Sequence, residues 1–305
     1  MTPSSTGRLP SSPARAILAV VVTSILWGTT GTVAAYAPQL SSLAVGAAAL
    51  GLSGLLLALV ALPQLKRESA LLRAEKKLVI LGAVAIMVYP LAFYTSMSTA
   101  GVAIGSVVSL ASAPIFSGLV EWALEKRQLL SRWMVATMLG LTGSGLLLSS
   151  SLSSHGSSGN QLMPGIALGL VAGATYATYS WSSALLMTKG ISRQAAMGAG
   201  FGLGGVLLMP VLLATGRSIL ESSTHVAVVG YMVLVPMFLG YLFFGYGLSR
   251  LPASTVTAIT LLEPAVATLL AVIVVGERLA LTGWLGIALF GLVLIVLSMP
   301  DRARH

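Results

Sequence analysis

Residues 149–158 read Ser-Ser-Ser-Leu-Ser-Ser-His-Gly-Ser-Ser. The stretch is too polar for hydrocarbon, and its serines and glycine mark a loop. Five long apolar runs precede it and five follow it. Five is odd, so a second unit of five enters the membrane the opposite way up. An inverted duplication of this kind puts a working site at the bilayer midplane, between the halves.

Composition requires a membrane. The chain has 305 residues, 56% hydrophobic and 8% charged, with a mean hydropathy of +0.94. A soluble domain carries about 25% charged residues. Too few charges are present to coat a globule in water. The apolar runs are 16–37, 42–62, 78–99, 102–122, 133–150, 163–187, 194–215, 226–248, 253–275 and 280–299. Each approaches the roughly 20 residues that a helix needs to span hydrocarbon. None alternates with period two, and only helices or closed barrels satisfy the backbone in lipid. The expectation is an all-α integral membrane protein of ten transmembrane helices, arranged as two inverted five-helix repeats, residues 1–150 and 151–305.

Basic residues orient the spans. With the N-terminus inside, the inner segments hold Arg8, Arg15, Lys66, Arg67, Arg73, Lys76, Lys77, Lys126, Arg127, Arg132, Lys189, Arg193, Arg250, Arg302 and Arg304. The outer segments hold Arg217 and Arg278. This positive-inside bias explains the net charge of +9 and the pI near 10.2 without nucleic acid. It also argues against insertion both ways up. Arg8 and Arg15 before an apolar run, with Ala35-Tyr36-Ala37 after it, imitate a signal peptide. The run exceeds a typical signal core, and nine more spans follow, so it reads as an uncleaved first span. The chain has no cysteine, which removes disulfides, thiolate metal sites and iron–sulfur clusters.

The halves align weakly. Pro114 set over Pro264 places Ala103 over Ala253 and Tyr94 over Phe244. Glu125 then falls near Glu277, and Trp133 near Trp284. The order of features carries the repeat. Inverted repeats of this design are a hallmark of secondary transporters. Three motifs point the same way: Ile25-Leu26-Trp27-Gly28, Leu261-Leu262-Glu263-Pro264 and Gly276-Glu277-Arg278-Leu279. They resemble the drug/metabolite transporter superfamily, EamA type, and within it bacterial exporters of aromatic and other neutral amino acids. The resemblance covers both halves. It implies a basket of helices around a central cavity, spans 5 and 10 toward the outside, and alternating access without ATP. One departure stands out: Ala113 precedes Pro114 where Glu263 precedes Pro264.

Glu263 is the one ionisable residue read near the middle of a span. A charge there costs about 2.5–3.5 kcal/mol on insertion scales, so such residues face a cavity or a partner. It is read as a proton site or a counter-charge for a substrate ammonium, against a neutral, hydrogen-bonded carboxylate that shapes its helix. Pro114 and Pro264 each remove a backbone bond. They are candidate hinges, against kinks tolerated as in many membrane helices. Trp27, Tyr89, Tyr176 and Tyr179 sit near span centres, away from the interfacial belts. Tyr176 and Tyr179 share a helix face. Cavity lining and ordinary packing both remain open for the four. Tyr94 and Tyr246, nearer span ends, read as interface residues. Most hydroxyls in spans 3, 4 and 9 read as bonding their own helix. Ser109 and Thr260, close to the prolines, are the candidates for substrate contact. The Gly165, Gly169, Gly173 row and the pairs Gly198/Gly202 and Gly200/Gly204 read as packing surfaces.

Other functions lack their residues. Gly51-Leu52-Ser53-Gly54 resembles a rhomboid nucleophile motif, yet no span holds a histidine to serve as base. No metal-ligand cluster, phosphate loop or dinucleotide fingerprint occurs. Channels show charged rings or carbonyl filters, and this chain offers one mid-span carboxylate. No catalytic residue, metal or cofactor is expected. No lysine or arginine lies deep in a span, so a multiply anionic substrate has no partner. A neutral zwitterion, or a small apolar or cationic compound, fits. The expected partners are a small-molecule substrate and the lipid bilayer of a bacterial inner membrane, with both termini cytoplasmic. Coupling is to protons or absent, and the assembly is a monomer or homodimer.

Overall fold

The computed structural model describes residues 13–126, 128–129, 131–152, 162–275 and 279–299. The serine-rich break beyond Leu152, the Gly276-Glu277-Arg278 turn, Arg127, and the chain ends with Arg8, Asp301, Arg302, Arg304 and His305 lie outside these residues.

Ten helices are long and apolar enough to cross a membrane: α1 (Pro13–Ala34), α2 (Ser42–Val60), α3 (Lys76–Ala100), α4 (Val102–Glu125), α5 (Ser131–Ser150), α6 (Leu162–Thr188), α7 (Arg193–Glu221), α8 (Ser223–Leu248), α9 (Ala253–Val274) and α10 (Leu281–Ser298). No strand occurs among the described residues. Each helix falls on an expected span, with ends shifted by a few residues. The largest shift is in α7, which a 3-10 turn at Gly216–Glu221 carries past residue 215. Two short helices, Leu62–Arg67 and Ser69–Ala74, join α2 to α3.

The helices pack in a pattern that repeats under inversion. α2 packs on α7, and α5 on α10. α3 and α4 both pack on α6, while α8 and α9 both pack on α1. α3 also meets α7, as α8 meets α2. Exchanging each helix for the one five places away maps this set onto itself, as a pseudo-twofold requires. Two of these contacts cross the axis, and both are glycine on glycine. A Cβ on Gly205 would stand 2.6 Å from the Gly51 carbonyl oxygen, and one on Gly286 would stand 2.8 Å from that of Gly143. Lipid gives helices no hydrophobic reason to associate, so close backbone approach and dispersion must supply it.

The basic segments gather at one end of the bundle. Lys189 reaches Glu75, and the Arg193 and Arg250 guanidinium groups lie over the Tyr246 ring at 5.3 and 3.8 Å. The start of α1 joins them, because Gly247 backs onto the Ala16 carbonyl. We call this the basic end.

Candidate functional site

Two helices, α8 and α9, depart from regular geometry at mid-depth, and α1 bonds to a backbone carbonyl in each. In α8, residues 233–239 form a π-turn around Pro236. The Gly240 N–H bonds to the carbonyls of Val235 and Met237 and passes over that of Pro236. The orphaned Pro236 carbonyl accepts the Trp27 Nε1–H at 2.9 Å. Gly240 makes room for the indole: a Cβ there would lie 2.7 Å from Trp27 Nε1.

The second departure is a break in α9. It runs as α9a (Ala253–Ile259), turns at Thr260 and Leu261, and restarts as α9b (Leu262–Leu270). Pro264 thus sits in the first turn of a new helix, where its missing N–H costs nothing. The Glu263 N–H bonds to the Thr260 carbonyl at 3.0 Å. That leaves the Ile259 carbonyl to accept the Ser24 hydroxyl of α1 at 3.4 Å. Gly28 lets α1 lie against α9b, since a Cβ would fall 2.6 Å from Val266 Cγ1. The Trp27-Gly28 and Glu263-Pro264 motifs therefore describe one interface. The third departure is a π-turn at Ala271–Val275, beyond α9b.

The two prolines that align in sequence behave differently. α4 runs unbroken through Pro114, whereas α9 stops just before Pro264. Helix geometry at the pair is not symmetric.

An aromatic cluster fills the space between these helices. The Trp27 ring centroid lies 5.1 Å from Tyr241, 5.4 Å from Phe244 and 6.1 Å from Tyr176. Tyr89 lies 5.6 Å from Tyr176 and 5.7 Å from Tyr179, and Tyr176 stacks on Tyr179 at 5.2 Å. Phe201 of α7 closes one side at 4.2 Å from Tyr241. Three of the phenol hydroxyls are paired: Tyr176 with Thr260 Oγ1 at 2.8 Å, and Tyr179 with Tyr241 at 3.0 Å. Burying a tyrosine requires such partners. The rings are buried against one another. Glu263, at the head of α9b, is half-buried and lies within electrostatic range of Tyr89, Tyr94, Tyr176 and Tyr241.

Five of the expected site residues thus meet: Trp27, Tyr89, Tyr176, Tyr179 and Thr260, with Glu263 at their edge. Ser109 stands apart. Its hydroxyl bonds to the Gly105 carbonyl at 2.7 Å, and its own carbonyl backs onto Gly173 of α6. Tyr94, read as an interface residue, instead packs over Gly46 and stands near Glu263. Reading spans one at a time missed Tyr241, Phe244 and Phe201, whose relevance appears only when α7 and α8 meet α1 and α6.

A second polar centre lies at the basic end. Glu121 of α4 is 3% exposed and accepts from the Ser254 N–H at 3.0 Å and its hydroxyl at 2.6 Å. The α9a helix has no side-chain cap of its own. Glu121 supplies one from another helix, an anion where unpaired N–H groups and the helix dipole favour it. Glu121 is thus more deeply enclosed than half-buried Glu263. Glu121 shares a buried face with Pro114, Ser117 and Gly118, opposite exposed Ile115, Leu119 and Trp122. Glu125, one turn on, accepts from Trp181 Nε1 at 2.8 Å. A cavity of about 240 Å³ opens here, lined by Glu121, Glu125, Trp181, Arg250 and Ala253 among others. It lies at the basic end, not beside Glu263. No group of three or more metal-ligating side chains occurs among the described residues.

Ten membrane helices in an inverted five-plus-five frame, with a polar and aromatic centre at the repeat interface, define a membrane transporter. The chain belongs to the EamA-like transporter family, which matches residues 14–149 and 163–299. It is 36% identical over 290 residues to the uncharacterized transporter YwfM of Bacillus subtilis, covering 94% of this chain and 95% of that one. It is 24% identical over 302 residues to the uncharacterized inner membrane transporter YicL of Salmonella typhimurium, covering 96% and 98%. A crystal structure 16% identical in sequence superposes with a TM-score of 0.77 over 94% of this chain and 97% of the other. That likeness concerns the fold.

Proposed function

We propose that this transporter exports small neutral or aromatic amino acids, or metabolites of similar form, across the bacterial inner membrane by alternating access. The observation that carries the reading is the aromatic cluster edged by one carboxylate, with no lysine or arginine deep in any span. An ammonium group is attracted by Glu263 and by the electron-rich faces of Trp27, Tyr89 and Tyr176. A substrate carboxylate is served by the helix start of α9b, which needs no buried cation. An aromatic or apolar side chain then meets rings of its own kind. Ser109 and the two proline positions belong to the same reading, Ser109 as a contact and Pro114 and Pro264 as hinges. The repeats are taken as residues 1–150 and 151–305, with the basic end and both termini in the cytoplasm. The protein performs no catalysis. Proton coupling and facilitated movement, and monomer and homodimer, are equally compatible with the geometry.

A second reading is export of small apolar or cationic metabolites. The lone carboxylate favours it, since a cation needs no second pole. Uptake into proteoliposomes separates the two, using labelled phenylalanine, leucine and serine beside an organic amine without a carboxylate. The first reading expects saturable amino-acid flux with counterflow. Failure of every amino acid to move or compete overturns it, and flux of the amine alone installs the second.

A further inference from the structure

The carboxylates of the first half share a property unrelated to Glu263. Glu68, Glu75, Glu121 and Glu125 are all the acidic residues between positions 1 and 150. Each accepts a hydrogen bond from the second half, and each does so at the basic end. Glu68 takes the Ser192 N–H at 2.8 Å, Glu75 takes Lys189 Nζ at 2.7 Å, and Glu125 takes Trp181 Nε1 at 2.8 Å. Glu121 takes both donors of Ser254. At the opposite end the halves meet through hydroxyls, Ser96 on the Gly165 carbonyl at 2.6 Å and Tyr231 on Thr29 at 3.0 Å.

The four contacts are not equal. Glu68, Glu75 and Glu125 keep access to water, which competes for their partners. Glu121 does not. A carboxylate taken out of water must be matched by charge-assisted bonds, and losing them leaves it unsatisfied. Its partner heads α9a, the seven-residue half of a helix broken at Thr260. Trp133 of α5 adds its Nε1–H to the Ser254 carbonyl at 2.9 Å. The first turn of α9a is thus held from two helices of the first half, and its other end is a joint. Ala253, in the same turn, lines the cavity beside Glu121.

We infer that Glu121 is a functional residue of the transport cycle: it clasps α9a against α4 and α5, and its release from Ser254 opens the way from the basic end toward Glu263. Glu121 is a positioning residue, acting through α9a and touching no substrate. The inference rests on alternating access, and on the basic end being cytoplasmic, but not on which compound is carried.

The test needs no substrate. The chain lacks cysteine, so one introduced thiol reports alone. Thr257 lies one turn deeper than Ser254, is fully buried, and its hydroxyl bonds to the Ala253 and Ser254 carbonyls of its own helix. Thr257→Cys in purified protein in nanodiscs is reacted with a maleimide, and the rate is compared with Ala172→Cys in buried α6. Adding Glu121→Ala or Ser254→Ala is expected to speed labelling at position 257 at least tenfold and to leave position 172 unchanged. Glu121→Gln, which keeps one acceptor, falls between. An unchanged rate at 257 in both variants overturns the proposal, as does equal acceleration at both positions, which reports general loosening. Ser254→Ala keeps the test open if Glu121→Ala does not fold. A negative amino-acid panel beside selective labelling would sink the substrate reading alone.

Discussion

At the scale of single residues, Glu263 is where the transport reading is most exposed to failure. It stands half-buried at the head of α9b, within electrostatic range of four tyrosines. Glu263→Gln keeps its shape and removes the charge. Uptake of an ammonium-bearing substrate is expected to fall at least tenfold in proteoliposomes, with thermal stability in detergent retained. Unchanged uptake, with or without a pH gradient, removes Glu263 from the mechanism. Its importance was legible because a charge in mid-span is conspicuous in a chain only 8% charged. Glu121 was not, because it sits where a span ends and a solvated charge is ordinary. Its burial is decided by Ser254, which reaches it from another helix and is itself held by Trp133. The surroundings of Ser109 were not legible either, for a related reason. Proximity to Pro114 along the chain says nothing about which side of α4 faces α6.

At the scale of elements, glycine rows fix the distances between helices. A Cβ on Gly173 of α6 would stand 2.7 Å from the Ser109 carbonyl oxygen and would meet the Ser112 side chain. Backbone cannot turn aside as a side chain can. Gly173→Ala is therefore expected to cost about 1–3 kcal/mol, read as a lower melting temperature in detergent. Gly230 of α8 has open space at the same position, and Gly230→Ala is expected to stay within about 0.5 kcal/mol of the parent. Equal effects at the two sites would show that packing is not what Gly173 provides. The glycine rows, the ten helices and most of their ends were readable from spacing and hydropathy. The π-turn at Pro236 and the break at Thr260 were not. A proline signals a missing donor. Whether the helix bulges, breaks or continues depends on whether a neighbour completes the orphaned carbonyls. Trp27 does so for α8, and Ser24 for α9.

At the scale of the whole molecule, the fold is near-symmetric and its polar chemistry is not. Helix contacts map onto themselves under exchange of the halves, yet Ala113 occupies the position that corresponds to Glu263. The four carboxylates of the first half all reach across at one end. Orientation decides what that end faces. The chain has no cysteine, so Ala70→Cys in the basic segment and Leu220→Cys at the opposite end each carry a unique thiol. An impermeant maleimide applied to intact cells is expected to label position 220, and position 70 only after permeabilisation. The reverse result turns the protein over in the membrane and puts the Glu121 clasp at its outer face.

The joint in α9 bears on leakage. A rigid rod pivoting across a bilayer opens at one face only by disturbing the other. α9 is two shorter rods, and each has its own anchorage: α9a on Glu121 and Trp133, α9b on α1 through Gly28. In the alternating-access reading, loosening the first anchorage would leave the second intact, with the turn at Thr260 absorbing the motion between them. A carrier divided in this way can unseal one compartment while the barrier to the other stays packed, so ions find no continuous path through it.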